Sequence, residues 1–454
     1  MKTIVVGAGP SGLFTAIAMA RRGHEVALVD RDPGPPADGR WRRRGVMQFH
    51  HAHTMRGPVI DALRIEMPDV LEHLVAAGAA VVDGRDGRPV ALLCRRSTFD
   101  AVLWSRATEE PGVTLLTRAV DGLIENGGRI DGVTWQGGGI VGDVVVDATG
   151  RASRFTGVHR PRAEGGECGA VYVDRLYQFH DGGLDRGHAP ANSPIGLSLS
   201  FSGYFAIAFL HDGRTFSITF AHDGSDRRLR SLRFGEVFES AVSSIPQLAD
   251  WADPRRARPI APVLPGGKLY NGYRGQLDAA GRPFTRGLIS VGDAVCTTTP
   301  LAGRGIALAL AQSRALVGAL RQHGNDIDSA TIAFDRWCTA NLRPWFDDHV
   351  HNDADRLRRW SGGDVDTNRR LPSDLIVAAA AADESLRPFV EPYARMDALP
   401  ESSTPSSRGP ASCSRRAGVQ PCRTDQPATS WPSCAMRGRA ASPRGSASTP
   451  PAAA

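Results

Sequence analysis

The sequence contains no run of 18 uninterrupted apolar residues, so no segment is expected to span a membrane. The apolar N-terminus is not read as a signal peptide, because Gly7, Gly9, Pro10 and Gly12 interrupt it. Cysteine is sparse and scattered: Cys94, Cys168, Cys296 and Cys338 lie far apart, and Cys413, Cys422 and Cys434 follow near the end. No Cys-x-x-Cys pair or Cys/His ligand spacing occurs, which excludes a disulfide framework and a structural zinc and points to a reducing, cytoplasmic compartment. Excess charge is also missing from most of the chain. Five of the six net positive charges arise beyond Pro400, where seven arginines face only Glu401 and Asp425. A nucleic-acid partner needs basic residues clustered on a folded body, and this body is nearly neutral.

What is present is apolar residue, 41% of 454, enough to bury the cores of two or three domains. Thr3–Val6 reads as a short buried strand ending in glycines, Ser11–Arg22 as a helix and Glu25–Asp30 as the next buried strand. Together they make a βαβ unit. Thr54–Ala77 reads as mostly helical, Val81–Cys94 as a hairpin and Phe99–Glu109 as a helix. Val113–Asn126 and Ile130–Trp135 read as an antiparallel pair, and Val141–Ala148 as a buried strand. From about Arg160 to Arg274 the character changes to alternating strands, Ser198–Leu210 and Thr215–Phe220, joined by a turn at His211–Arg214. Leu288–Gly292 is again a buried strand, and Arg304–Gln322, Ile327–Val350 and Leu375–Val390 read as helices.

Three separated segments carry the chemistry. In Gly7-Ala8-Gly9-Pro10-Ser11-Gly12, Gly7 allows a tight turn, Gly9 lets a phosphate approach the backbone, and Gly12 lets strand and helix pack closely. The following helix points the positive end of its dipole at the diphosphate. Asp30, with Arg31 beside it, ends the second strand where a carboxylate can hold the adenosine ribose. This segment alone specifies a dinucleotide. The second segment, Val144–Ala148 running into Thr149-Gly150, and the third, Gly292-Asp293 followed by Pro300-Leu301-Ala302-Gly303-Arg304-Gly305, separate FAD from NAD. A carboxylate at 293 can hold a chain of sugar-like hydroxyls, and the next helix N-terminus can face a polarised ring carbonyl. A plain NAD dehydrogenase has no need of that last part.

In this order, the segments resemble the class A flavoprotein monooxygenases, with the para-hydroxybenzoate hydroxylase fold that epoxidases, halogenases and geranylgeranyl reductases share. Residues 147–154, Arg96-Ser97-Thr98-Phe99-Asp100, and Arg44-Gly45-Val46 with Gln48 and His50–His53 carry the likeness over about residues 1–340, closest to the epoxidase and geranylgeranyl reductase branch. The resemblance implies Arg44 and Arg96 against FAD, Val120 beside adenine, Asp293 on the ribityl chain, and Pro300, Gly303 and Gly305 beside the isoalloxazine. It implies an α/β fold: a discontinuous Rossmann-like FAD domain (1–74, 95–160, 275–325) and an inserted β-sheet substrate domain (75–94, 161–274). C-terminal helices (326–397) and a disordered tail (398–454) follow, the tail being too polar to offset its ordering entropy. The implied activity is oxygen transfer from O2 to an aromatic or alkene-containing small molecule through a C4a-(hydro)peroxyflavin, in secondary metabolism. The alternatives are a reductase of an alkene and an inactive flavin-binding protein. Halogenation would need a lysine beside the substrate, and only Lys2 and Lys268 exist.

No second strand–GxGxxG–helix offers a permanent nicotinamide site, since Gly165–Gly169 has the wrong spacing. NAD(P)H is therefore expected to bind transiently, or a partner flavin reductase to supply reduced flavin. The candidates for proton transfer are His51 and His53, with His50 in the same cluster; the other reading is loop histidines bonded to backbone. Arg42 and Arg43 read equally as phosphate ligands or a solvated run. Cys296 is either a flavin contact or a small buried residue. His349 and His351, with Asp347, Asp348 and Asp353, read as the polar face of a helix end rather than a metal site. The substrate pocket is expected between the sheet at about 195–222 and the loop 296–305, with either face of the sheet as its wall.

Overall fold

The computed structural model describes residues 1–400 except 44, 154–156 and 182–188. The expected tail therefore lies almost wholly outside the described residues, as do Arg44 and Arg154. A five-stranded parallel sheet forms the first half, in the order Leu288–Ser290, Val144–Asp147, Lys2–Val6, Glu25–Asp30, Val113–Thr117. Four of its strands are short apolar runs buried on both faces, as parallel sheets require, and the edge strand Val113–Thr117 is more exposed. The helix Pro10–Ala20 is buried at all eleven positions, packed between this sheet and the helices Gly305–His323 and Arg96–Glu109. All five strands run parallel, so their C-terminal ends lie at one edge, and all three motif segments start there. Val6 is in register with Asp147, and Asp147 with Ser290.

Two of the expected strands are each two strands. Val113–Asn126 divides at Arg118-Ala119: Val113–Thr117 joins the parallel sheet, while Val120–Asn126 starts a separate antiparallel sheet with Arg129–Trp135 and Gly138–Val141. Ser198–Leu210 divides at Ser202-Gly203, where Gly203 takes a φ of +88° and closes a hairpin. An apolar run without a proline conceals such a break, because only the turn glycine marks it.

The second large sheet is antiparallel, in the order Gly196–Phe201, Tyr204–Leu210, Thr215–Asp223, Ala170–Phe179, Ala257–Pro259. Ala170–Phe179 also pairs with Leu264–Gly266 and anchors this sheet. Ala206, Ala208, Phe216, Ile218 and Phe220 form one face, covered by Phe238, Leu248 and Trp251 of the helices Gly235–Ser244 and Pro246–Trp251. Phe205, Ile207, Thr219, Asp174 and Tyr172 alternate with them on the other face. The hairpin Ala80–Asp83/Pro89–Leu93 pairs with Met55–Arg56, and its Leu92, with Cys94 just after it, packs in the first core, not with the second sheet.

The expected helix Ile327–Val350 is Ile327–Asn341 and Arg343–Trp360, broken at Leu342 by Pro344. The polar residues of the second helix are not a solvated face. Asp348, His349 and Asp353 are 1%, 2% and 4% exposed, because the helices Ser373–Ala382 and Arg387–Arg395 cover Asp348 while Thr299 and Asn271 pack on His349 and Asp353. Tyr393 and Ser373 donate hydroxyl hydrogen bonds to Asp348 at 2.6 and 2.5 Å. Asp347 and His351 do not share this burial. Among the described residues no group of three or more His, Cys, Asp or Glu side chains is placed to hold a metal, and no helix is long and apolar enough to cross a membrane.

The two sheets are tied together at the turn His211–Arg214. The buried Asp212 carboxylate accepts hydrogen bonds from the Arg95 amide (2.5 Å), the Arg95 guanidinium (2.7 Å) and the Thr98 hydroxyl (2.7 Å) at the start of the helix Arg96–Glu109. These donors hold the Asp212 pKa below the usual carboxylate value against the opposing effect of burial. Asp212→Ala is expected to lower unfolding free energy by roughly 1.5–3 kcal/mol, the value of hydrogen bonds to a charged group. A denaturant midpoint equal to that of the unaltered protein would contradict this.

Candidate functional site

The glycines of the first segment divide by what surrounds them. A Cβ on Gly7 would lie 2.5 Å from the Ala148 carbonyl oxygen, and one on Gly12 would overlap the Gly7 carbonyl. Gly7 also takes a φ of +103°, which side chains disfavour. A Cβ on Gly9 meets nothing within 4 Å. Gly7 and Gly12 therefore serve the packing of strand, helix and neighbouring strand end, whereas Gly9 borders open space. The helix that starts at Pro10 has no side-chain cap, so the amides of Ser11 and Gly12 face that space.

Asp30 sits at the rim of this space. One carboxylate oxygen accepts from the Ala8 amide at 2.5 Å and from Arg43 at 3.2 Å, the other from the Asp32 amide at 2.8 Å. With two lone pairs per oxygen, acceptor capacity is left for a ribose hydroxyl. Arg43 is neither a solvated residue nor free for phosphate. It is buried, donates to the Ala8 carbonyl at 2.8 Å and Asp100 at 3.1 Å, and lies over the rings of Trp41 and Trp104. Arg31 packs against Gly45, where a Cβ would stand 2.0 Å from its guanidinium. Arg96 donates to Asp100 at 2.5 Å, so Asp100 fixes both arginines.

The second and third segments close on the first. Thr149 donates its amide and hydroxyl to Asp147, at 3.0 and 2.6 Å, and Gly150, with a φ of +79°, again borders open space. A Cβ on Gly292 would lie 2.3 Å from the Ser11 hydroxyl, so these two segments touch. The Asp293 carboxylate accepts no hydrogen bond from any described residue. Burial raises its pKa, and Arg96 and Arg151 act to lower it. A sheltered carboxylate without protein donors suits ligand hydroxyls. Pro300–Ala302 forms one tight turn, Gly303 is left-handed at φ +63° against Thr54, and Gly305 borders open space. Val120 starts the small antiparallel sheet, next to the first strand's cluster of Ile4, Val6 and Val29.

These features fit FAD. Open space borders Gly9, Gly150 and Gly305, with uncapped amides at one end and an unpartnered carboxylate along it. Gly9, Ser11, Asp30, Arg96, Asp293 and the loop Pro300–Gly305 are the residues that would hold it.

Beyond Gly303 the loop that carries the histidines meets the second sheet. His51 Nδ1 lies 3.0 Å from both carboxylate oxygens of Asp174, and the Ala52 amide donates to the same carboxylate at 2.8 Å. The carboxylate can only accept, so Nδ1 carries the proton and Nε2 is left as the basic nitrogen. His53 Nδ1 donates to the His51 carbonyl at 2.8 Å. Burial, then Arg96, push the His53 pKa down to about 3, which keeps that ring neutral. Burial, aided by Arg42 and His51, also lowers that of His50. Cys296 is buried and its thiol pKa is raised by burial, in keeping with a small core residue. Asp174 has no sequence signal: it is one acidic residue in an unrecognised strand, and only the pairing of that strand brings it to His51.

Between the sheet face and the loop, Phe205, Leu301 and Trp360 pack around Tyr172 and Ala221, with the Phe205 and Trp360 rings 5.9 Å apart. The Thr219 hydroxyl is buried on this face without a partner. The face with Phe205 is thus the one that turns to the loop, and that with Ala206 and Ala208 is the core.

Residues 3–167 match the family described as FAD dependent oxidoreductase. D-amino acid dehydrogenase 2 of Ralstonia nicotianae is 40% identical, but over 13% of this chain and 14% of its own length. Protein FixC of Salmonella typhi is 26% identical over 69% of this chain and 74% of its own. The 6-methylpretetramide 4-monooxygenase of Streptomyces rimosus is 28% identical over 67% and 72%. Among solved structures, PqsL of Pseudomonas aeruginosa in complex with 2-aminobenzoylacetate superposes with a TM-score of 0.61 at 18% identity, over 80% of this chain and 98% of that one. HpxO of Klebsiella pneumoniae, complexed with FAD and uric acid, gives 0.56 at 18%, over 80% and 90%. Residues 3–167 thus resemble the FAD dependent oxidoreductases, and the chain has the fold of flavoprotein monooxygenases such as PqsL.

Gly9→Val is expected to fold normally and to lose bound FAD, since its side chain enters open space only. Gly7→Val is expected to fail to fold. Circular dichroism and the flavin-to-protein absorbance ratio distinguish these outcomes, and wild-type flavin content in Gly9→Val would remove Gly9 from the site.

Proposed function

We propose that this oxidoreductase is a monooxygenase that transfers one oxygen atom from O2 to an aromatic or alkene-containing small molecule. Its electrons come from NAD(P)H bound transiently or from a partner flavin reductase. The observation that carries this reading is the wall formed where the second sheet closes on the Pro300–Gly305 loop: Phe205, Tyr172, Leu301 and Trp360, with the His51–Asp174 pair at its edge. Bound FAD supplies the activation of oxygen. The chain supplies an apolar, water-excluding wall that orients a flat or unsaturated substrate. It also supplies a basic nitrogen. Asp174 holds the His51 proton on Nδ1, so Nε2 can take a proton from a substrate hydroxyl and return it.

The 28% identity to a monooxygenase over 67% of the chain supports the same reading. So does the likeness of the fold to PqsL and HpxO. The domain limits inferred from sequence remain part of the proposal, with residues 161–274 forming the substrate side.

The test is a visible spectrum of the purified protein followed by NAD(P)H and O2 consumption over a panel of aromatic compounds and polyenes. Substrate-dependent uptake of O2 with oxygenated product is expected. Anaerobic saturation of an alkene would assign a reductase instead, and a colourless protein would end both readings. With a substrate found, Asp174→Asn is expected to keep its FAD and lose about 10²-fold in turnover, the lower range for general acid–base catalysis. Unchanged turnover would remove the pair from the chemistry.

A further inference from the structure

Arg56 is a partly buried cation without a carboxylate. It ends the short strand Met55–Arg56, and its guanidinium donates to two carbonyls, Ala302 at 2.9 Å and Ala394 at 3.2 Å. Its Nε is buried with no partner, and no acidic side chain among the described residues pairs with it. Ala302 lies in the loop Pro300–Gly305, and Ala394 in the last described helix, so Arg56 clamps the loop from behind.

The charge next to it is not balanced either. Arg304, in the same loop, lies over the stacked rings of Trp345 and Tyr393 at 4.7 and 4.4 Å, and its ionic partner is Asp348 at 3.5 Å. That carboxylate already accepts from Tyr393, Ser373 and Asn352 and lies 3.6 Å from Arg370. His349 stands beside both arginines, and burial together with Arg304, Arg356 and Arg56 keeps it neutral. Burial and Arg304 also lower the Arg56 pKa to about 10, which still leaves it charged at neutral pH. Behind the loop, Arg304 thus shares its carboxylate with Arg370, and Arg56 has none among the described residues.

Hydride transfer to a flavin delivers two electrons and one proton, and at neutral pH the ring gains one negative charge. A fixed, desolvated cation behind the ring favours that state. We propose that Arg56 is a positioning residue that raises the reduction potential of the bound flavin, through the positive charge it holds against Ala302, and that Asp348 opposes it. This rests on the reading that places the ring beside Pro300–Gly305.

The test is an anaerobic titration of the FAD-bound protein against reference dyes. Arg56→Met is expected to shift the potential negative by about tenfold in the reduced-to-oxidised ratio, which is about 30 mV for a two-electron couple. Arg56→Lys, which keeps the charge, is expected to restore most of the shift. Asp348→Asn is expected to shift the potential positive. A purely structural role changes flavin occupancy but does not produce opposite shifts from two neighbours. An unchanged potential in FAD-loaded Arg56→Met overturns the proposal. Should that variant not fold, an unchanged or more negative potential in Asp348→Asn does so. Gly305→Val separates the premise: if it retains full flavin content, the ring is not at this loop and the proposal falls with its premise.

Discussion

The carbonyl of Ala148 lies so near Gly7 that a methyl group there would stand 2.5 Å from it, and Gly292 presses as closely on Ser11. The ends of three neighbouring parallel strands therefore converge only because glycines stand at the contacts. From that convergence follow the uncapped start of the helix at Pro10, the space bordered by Gly9 and Gly150, and the position of Asp293 along it. In open α/β sheets a ligand binds outside the carboxyl ends of the strands. Here the close approach of the backbones makes that edge continuous from Asp30 to Gly305.

Around this edge the charged residues are buried rather than displayed. Arg43 faces Asp30, Asp32 and Asp100, and Arg304 faces Asp348 over two stacked aromatic rings. Burying such groups costs several kcal/mol per ion unless hydrogen bonds and geometry offset it. Arginine suits this better than lysine, because its planar guanidinium donates in several directions, stacks on aromatic faces and is weakly hydrated. A chain with only two lysines among 54 basic residues uses that property throughout. The two clusters flank the cofactor edge at its adenine-side rim and behind its final loop. They connect the positioning of backbone segments to the electrostatics of the site.

The parts of the site that were legible in the sequence are those made by backbone. Gly7–Gly12, Thr149-Gly150 and Pro300–Gly305 announce themselves because a turn, a phosphate approach or a left-handed residue restricts the choice of amino acid. Asp30 and Asp293 were legible because they end strands at known distances from such turns. The strand Ala170–Phe179 was not legible, although it pairs with three others, because its apolar and polar residues keep no strict alternation. Asp174 was hidden with it. The buried face of Arg343–Trp360 was misread for a related reason. Its polar residues look solvated until Thr299, Asn271 and the two following helices cover them, and the hydroxyls of Ser373 and Tyr393 lie 25 and 45 residues from Asp348.

The sequence by itself determined the glycine turns at the strand ends, since local backbone geometry there is dictated by residues a few positions apart. It also determined that a second, strand-rich segment interrupts the FAD-binding segments. Only the tertiary structure decided which face of that second sheet meets the loop. Alternation along a strand is compatible with either face until helices cover one of them. It alone joined His51 to Asp174 across 123 residues and set Arg56 against Ala302 across 246. Such contacts depend on the docking of whole elements, whose orientation no short pattern encodes.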